Sequence, residues 1–311
     1  MAHTGNDGKR PTARHLLRRE APSTVAVLAD ERDFAAMRRY QTFAFDDHTA
    51  YLRQMEALLR TLAARGVHIT VALFDPVGYE EYCAHARLDP DAPASRTRYT
   101  AHLAAAGGTV PYEGQPIDRL LPHLIETAER QATWEYASGL LSRSGQCREH
   151  CGEARADEAF ARASHALRLL LETAGHGEHH LVCSIPADDA PLIAVLHTRP
   201  RPGAEPDVDS TQALVFSTVL AAGLATGRRG GVVLRTTTPD GHDRVRGWVL
   251  HDDWLRPLSE AEIFAAYCTD ADTGEPVPPE HGVEYLAAPD LVRPPGADGT
   301  GADGSGADDM P

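Results

Sequence analysis

The sequence predicts an α/β fold in its N-terminal half, a βαβ unit with a short parallel sheet. In its C-terminal half it predicts an α+β fold, two β-hairpins with helices on a largely antiparallel sheet. Three observations carry this. Val25 to Ala29 and Val67 to Phe74 are apolar runs, closed by Asp30 and by Asp75-Pro76. Between them, Tyr51, Leu52, Met55, Leu58, Leu59 and Leu62 recur at helical spacing. From Asp157 onward the pattern becomes helix, hairpin, helix, hairpin, helix. Two strands joined by a long helix imply a parallel pair with a right-handed crossover.

The elements follow in order. Residues 1–23 are polar and aperiodic, with Lys9, Arg10, Arg14, Arg18 and Arg19, and are expected to form a disordered basic leader. Glu31 to Tyr40 suits a short helix. Asp46 or Asp47 can cap the long helix by accepting from the free N–H groups of its first turn, and Gly66 can end it. Gly78 to Ala86 suits a helical turn or two, and Ser95 can cap a helix reaching Ala106. Thr109 to Tyr112 is a weak strand because Pro111 removes a donor. Ile117 to Leu141 reads as a long helix with Pro122 in its first turns.

Residues 146–156 are a polar linker, which separates a Rossmann-like α/β domain over 24–145 from an α+β domain over 157–293. In the latter, His180–Ile185 pairs with Ile193–Thr198, and Gly231–Thr237 with Val245–Leu250. Arg199 to Asp209 reads as a proline-rich loop, Ser210 as the cap of the following helix, and Ser259 as the cap of a last short one. The arrangement suggests a duplicated αββ unit on a four-stranded sheet with its helices on one face. Residues 294–311 are Gly/Ala/Asp-rich and expected to be disordered; their five-residue period is not the nine of a calcium-binding β-roll.

The bulk properties exclude several classes. A net charge of −15 disfavours a nucleic-acid binder, since phosphate contacts need a basic surface. No run approaches the ~18 apolar residues of a membrane span, and no apolar segment follows the basic leader, so a cytoplasmic location is expected. Five cysteines argue against a disulfide framework. Lys9 is the only lysine, which with abundant Ala, Gly, Asp and Pro suggests a high-GC, actinobacterial-type source. It also leaves no folded lysine for a Schiff base, so a pyridoxal cofactor is not expected. No Gly-rich turn follows the first strand and no P-loop is present, which removes the dinucleotide fingerprint and the P-loop nucleotide.

Three groups are candidate sites. Asp30 and Asp75 end the two parallel strands on one edge, where open α/β sheets bind ligands. Two carboxylates there could hold Mg²⁺ or hydrogen-bond a ribose, joined by Asp46 and Asp47 if the loop before the helix folds over; the competing reading is two helix caps. Cys147, His150 and Cys151 offer soft ligands to zinc; no clean second pair follows, but His176, His179, His180 or Cys183 could supply a fourth if the helix folds back. Arg244, Arg246 and Trp248 share one strand face by alternation and could receive an anionic ring; the competing reading is a polar outer face. Cys183 and Cys268 lie in apolar surroundings and are expected to be buried and inert.

The expected function is non-enzymatic binding of a protein partner or small ligand. The alternative is an enzyme, a metal-dependent hydrolase or nucleotide-handling transferase, at the Asp30/Asp75 edge.

Overall fold

A computed structural model describes residues 23–144, 152–188, 190–201, 204–270 and 273–294. The expected leader, the core of the expected linker and the Gly/Ala/Asp tail lie outside the described residues. The chain divides into two compact units, the first ending at Ala132 and the second starting at Thr133, a division that falls within one long helix.

The first unit runs β1 (Ser23–Val27), α1 (Glu31–Met37), α2 (His48–Ala64), β2 (Ile69–Leu73), α3 (Pro76–Ala86), α4 (Pro93–Ala106), β3 (Thr109–Pro111) and the start of α5 (Ile117–Ser144). β1 and β2 are parallel, in register from Ser23 opposite Ile69 to Val27 opposite Leu73. β3 adds to β2 antiparallel, giving a small mixed sheet in the order β1-β2-β3. Asp47 caps α2 by accepting from the Ala50 N–H at 2.7 Å, and Gly66 follows with φ of 73°, a left-handed conformation that glycine adopts without strain. α4 starts differently from expectation: Ser95 is buried and its hydroxyl donates to the Asp89 carbonyl at 2.6 Å, while Pro93 opens the helix without a side-chain cap. The core is aromatic, with Phe34, Tyr40, Tyr51, Phe74, Tyr79 and Tyr99 packed around Val27, Ile69 and Val71.

The second unit holds the rest of α5, then α6 (Gly152–Ala174), β4 (Glu178–Ile185), β5 (Leu192–Arg201), β6 (Ala204–Val208), α7 (Ser210–Thr226), β7 (Gly231–Thr237), β8 (Asp243–His251), β9 (Trp254–Pro257), α8 (Glu260–Tyr267) and β10 (Val283–Tyr285). The sheet runs β10-β8-β7-β4-β5-β6, with β9 also on β8. It is antiparallel except for β10, which lies parallel to β8. α7 is buried from Val215 to Leu224, as an all-round apolar helix must be, and covers Leu181, Leu196, Leu234 and Trp248. Gly223 lets it approach: a Cβ there would lie 2.4 Å from Ile185 Cδ1 and 2.7 Å from Leu250 Cδ1.

Three strands, β6, β9 and β10, extend the expected four. The proline-rich segment forms β6 on the sheet edge, where a proline is tolerated, and a register shift between Arg199 and Arg201 takes up Pro200. β8 turns into β9 through Asp252 and Asp253, with φ of 47° and 57°, the double left-handed geometry of a two-residue hairpin built without glycine. The cap of α7 is Asp209, not Ser210. The helices also occupy both faces. Val245 and Val233 point away from α7 and pack with Ile263, Cys268 and Tyr285 in a separate core under α8.

Candidate functional site

Asp30 and Asp75 sit where the sequence places them, just past the ends of β1 and β2, and both are helix caps. Asp30 accepts from the Asp33 N–H at 2.8 Å. Asp75 accepts from Val77 and Gly78 at 2.9 and 3.0 Å, with Pro76 at the first helical position. Asp33 completes the group: burial first, then the charges of Asp30 and Asp75, raise its carboxyl above the usual range. The edge therefore gathers three carboxylates, with Arg32 close enough to offset part of their effect on Asp33. Among the described residues no group of three or more His, Cys, Asp or Glu is arranged to hold a metal ion. Asp47 is engaged as the α2 cap. The Cys147, His150 and Cys151 cluster lies outside the described residues.

Arg244, Arg246 and Trp248 share a face of β8, but each has its own partner. Arg244 pairs with Glu284 on β10 at 3.3 Å. Arg246 donates to the Thr173 carbonyl at 3.2 Å, which places its charge at the C-terminal end of α6, where the helix dipole favours a cation. Trp248 is 1% exposed and donates to the Pro289 carbonyl at 2.9 Å, so its ring belongs to the core. Cys83, Cys183 and Cys268 are free and buried, and burial pushes the Cys183 thiol up to about 12.

Two concavities are lined by described residues of the second unit. One, of about 450 Å³, sits between the end of α7 and the β8–β9 turn. Among its charged and titratable lining residues, Arg228 pairs with Asp188 at 3.1 Å, Arg256 with Glu262 at 3.0 Å and His251 with Asp252 at 3.0 Å, and Arg229 and Asp253 also line it. The other is an open groove of about 750 Å³ between α8 and β10, lined by Glu260, Ala261 and Phe264 on one side and by Val283, Glu284, Tyr285 and Leu286 on the other.

The groove follows from local sequence. A capping box fixes the start of α8: Ser259 and Glu262 bond reciprocally, and Arg256 adds to the hold on Glu262, whose carboxyl falls to about 2 chiefly through the Ser259 N–H. Residues 260, 261 and 264 then share one helix face. Ile263 turns inward under Gly247, where a Cβ would come within 2.7 Å of its Cδ1. Phe264 stays 44% exposed and meets the Tyr285 ring edge-on at 5.5 Å.

β10 is the sheet edge. Asp243 N–H donates to the Gly282 carbonyl and Leu286 N–H to the Val245 carbonyl, so positions 282, 284 and 286 face β8. By alternation the backbone groups of Val283 and Tyr285 face away from the sheet. Arg235 anchors the approach to this strand by pairing with both Asp243 and Glu280, bonds that raise its already high pKa. The sequence reading missed this site because β10 is three residues long and follows a proline-rich stretch; the readable signal was the Ser259/Glu262 capping pair, which orients Phe264.

The first unit is similar to the family described as Domain of unknown function (DUF8829), which matches residues 12–115. That span ends just before α5 and covers none of the second unit. No curated protein and no solved structure matches the chain. No helix among the described residues is long and apolar enough to cross a membrane.

Proposed function

We propose that this chain is a partner-binding protein whose second unit carries the interaction surface. One observation carries the reading: the α8/β10 groove sets Ala261 and an exposed Phe264 of α8 beside a strand edge with outward backbone groups. Soluble folds normally blunt such edges, because unpaired N–H and C=O groups template another chain. The polar concavity beside α7 is a poorer candidate, since its arginines are mostly engaged. The enzyme alternative rests on the Asp30, Asp33 and Asp75 carboxylates, whose charges act on one another across the edge of the β1/β2 pair. Against it, Asp30 and Asp75 already serve as caps.

The test is photo-crosslinking in cells expressing the full chain. Benzoylphenylalanine would replace Phe264, with a control at Ile193, which is 50% exposed on the sheet face away from α7. A discrete adduct from position 264 and none from 193 is the expected result. No adduct at 264, together with a nucleotide- or ester-cleaving activity abolished by Asp75→Asn, would replace this reading with the enzyme.

A further inference from the structure

We propose that His180 and His197 form a site for a divalent transition-metal ion that accepts imidazole nitrogen, such as Zn²⁺ or Ni²⁺, on the sheet face turned away from α7. The two residues stand directly opposite each other on β4 and β5. Leu181 and Leu196, their neighbours in sequence, point into the core, so alternation turns both imidazoles to the other face, where both are exposed. The backbone brings them close. The His197 N–H donates to Gln212 Oε1 at 2.9 Å, away from β4. Positions 180 and 197 are therefore a non-hydrogen-bonded pair, the kind with the shorter side-chain separation. Their ring centres lie 4.3 Å apart. An ion about 2.1 Å from one nitrogen of each ring needs ring centres about 4.5–5.2 Å apart, which a small rotation of two exposed side chains supplies. Nothing holds the rings elsewhere: among the described residues neither imidazole has a hydrogen bond or an ion pair. Arg235 lies opposite His180 on β7, but it bonds both Asp243 and Glu280, so that trio is net negative and does not oppose a cation. Glu178 and Arg199 stand two residues away on the same face, one on each strand. Two imidazoles leave the other coordination positions to water, an arrangement that suits Zn²⁺ or Ni²⁺ and not the oxygen-seeking Mg²⁺. A bound ion clips β4 to β5.

The experiment is thermal unfolding of the full chain with Zn²⁺, Ni²⁺, Mg²⁺ or no metal, in a Cys147→Ser, Cys151→Ser background that removes those thiolates as competing ligands. A site built across two strands exists only in the folded state, so its ion raises the melting temperature. Histidines close in sequence bind folded and unfolded chain alike and give no shift. For a Kd on the order of 10–100 μM, Zn²⁺ and Ni²⁺ at about 1 mM should each raise the melting temperature by about 3–8 °C, and Mg²⁺ should not. His180→Gln and His197→Gln should each remove the shift while leaving the metal-free melting temperature within about 1 °C, as suits exposed positions. His123→Gln, an exposed histidine of the first unit, should keep it. Imidazole ¹⁵N spectra of the unsubstituted histidines provide a second measurement that needs no variant to fold: the His180 and His197 signals should move together on Zn²⁺ addition. A shift in melting temperature that survives either substitution, an equal shift with Mg²⁺, no shift with Zn²⁺ and Ni²⁺, or a spectrum in which either ring stays unchanged overturns the inference.

Discussion

The Tyr51 hydroxyl accepts a hydrogen bond from the Leu28 N–H at 3.1 Å, reaching from the first turn of α2 to the residue that follows β1. Tyr51 and Leu28 are 4% and 2% exposed, so no water can replace either partner. Beside it, His48 Nε2 lies 3.1 Å from the Leu28 carbonyl. A carbonyl only accepts, so that nitrogen carries the proton. Both backbone groups of a residue beyond the ladder are thus satisfied by side chains one helical turn apart.

Tyr51→Phe should destabilise the chain by about 1–3 kcal/mol, because it leaves the buried Leu28 N–H without an acceptor while preserving the packed ring. Urea unfolding measures this; a change within error would mean that the N–H finds another partner. Burial also pushes the Tyr51 hydroxyl up to about 12. Since the folded value exceeds the unfolded ~10, this contribution is intact below pH ~10 and is lost as pH rises toward 12.

Acid should act through His179. Its ring is 4% exposed, with Nε2 3.2 Å from the Gly175 carbonyl and Nδ1 3.1 Å from the Thr236 hydroxyl. The carbonyl fixes the proton on Nε2, so the hydroxyl donates to Nδ1. Burial holds the pKa below the ordinary value. The unfolded chain then binds the proton more tightly, and stability falls as pH drops below about 6.5. His179→Gln should lower stability at pH 7.5 and flatten its decline toward pH 5.5. An unchanged slope would remove His179 from the titration.

Gly223→Ala should cost about 1–3 kcal/mol, since the new methyl would overlap Ile185 and Leu250, side chains locked within the main core. Ala222, one position earlier in the same buried helix, tolerates its methyl, so the effect is one of distance and not of helix propensity. A melting temperature equal to or above that of the parent would show that α7 can shift outward.

Asp75→Ala should destabilise by about 0.5–2 kcal/mol through loss of the α3 cap, and Asp75→Ser should recover most of it. A carboxylate needed for its charge would not be rescued by serine in any activity assay. The substitution pair therefore separates capping from chemistry.

In a Cys147→Ser, Cys151→Ser background, Ellman's reagent should find no reactive thiol in native protein and three after unfolding, from Cys83, Cys183 and Cys268. Native-state reaction would reveal an opening of the second-unit core or of the α3 region.

By itself the sequence determined the βαβ order, the two main hairpins of the second unit and most helix caps, because these rest on local periodicity and on side chains that bond within a few residues. Asp30, Asp47, Asp75 and Ser259 were legible for that reason. It also showed that Arg244, Arg246 and Trp248 share a face, since strand alternation needs no knowledge of neighbours. Tertiary structure decided what that face meets: Glu284, the end of α6 and the core. It likewise decided that a proline could stand in β6, because an edge strand has a side with no ladder to break. Above all it placed β10 parallel to β8, 40 residues apart at Glu284 and Arg244, and thereby made the groove beside Phe264. Non-local pairing leaves no periodic trace in so short a strand, so only the folded chain could put those residues side by side.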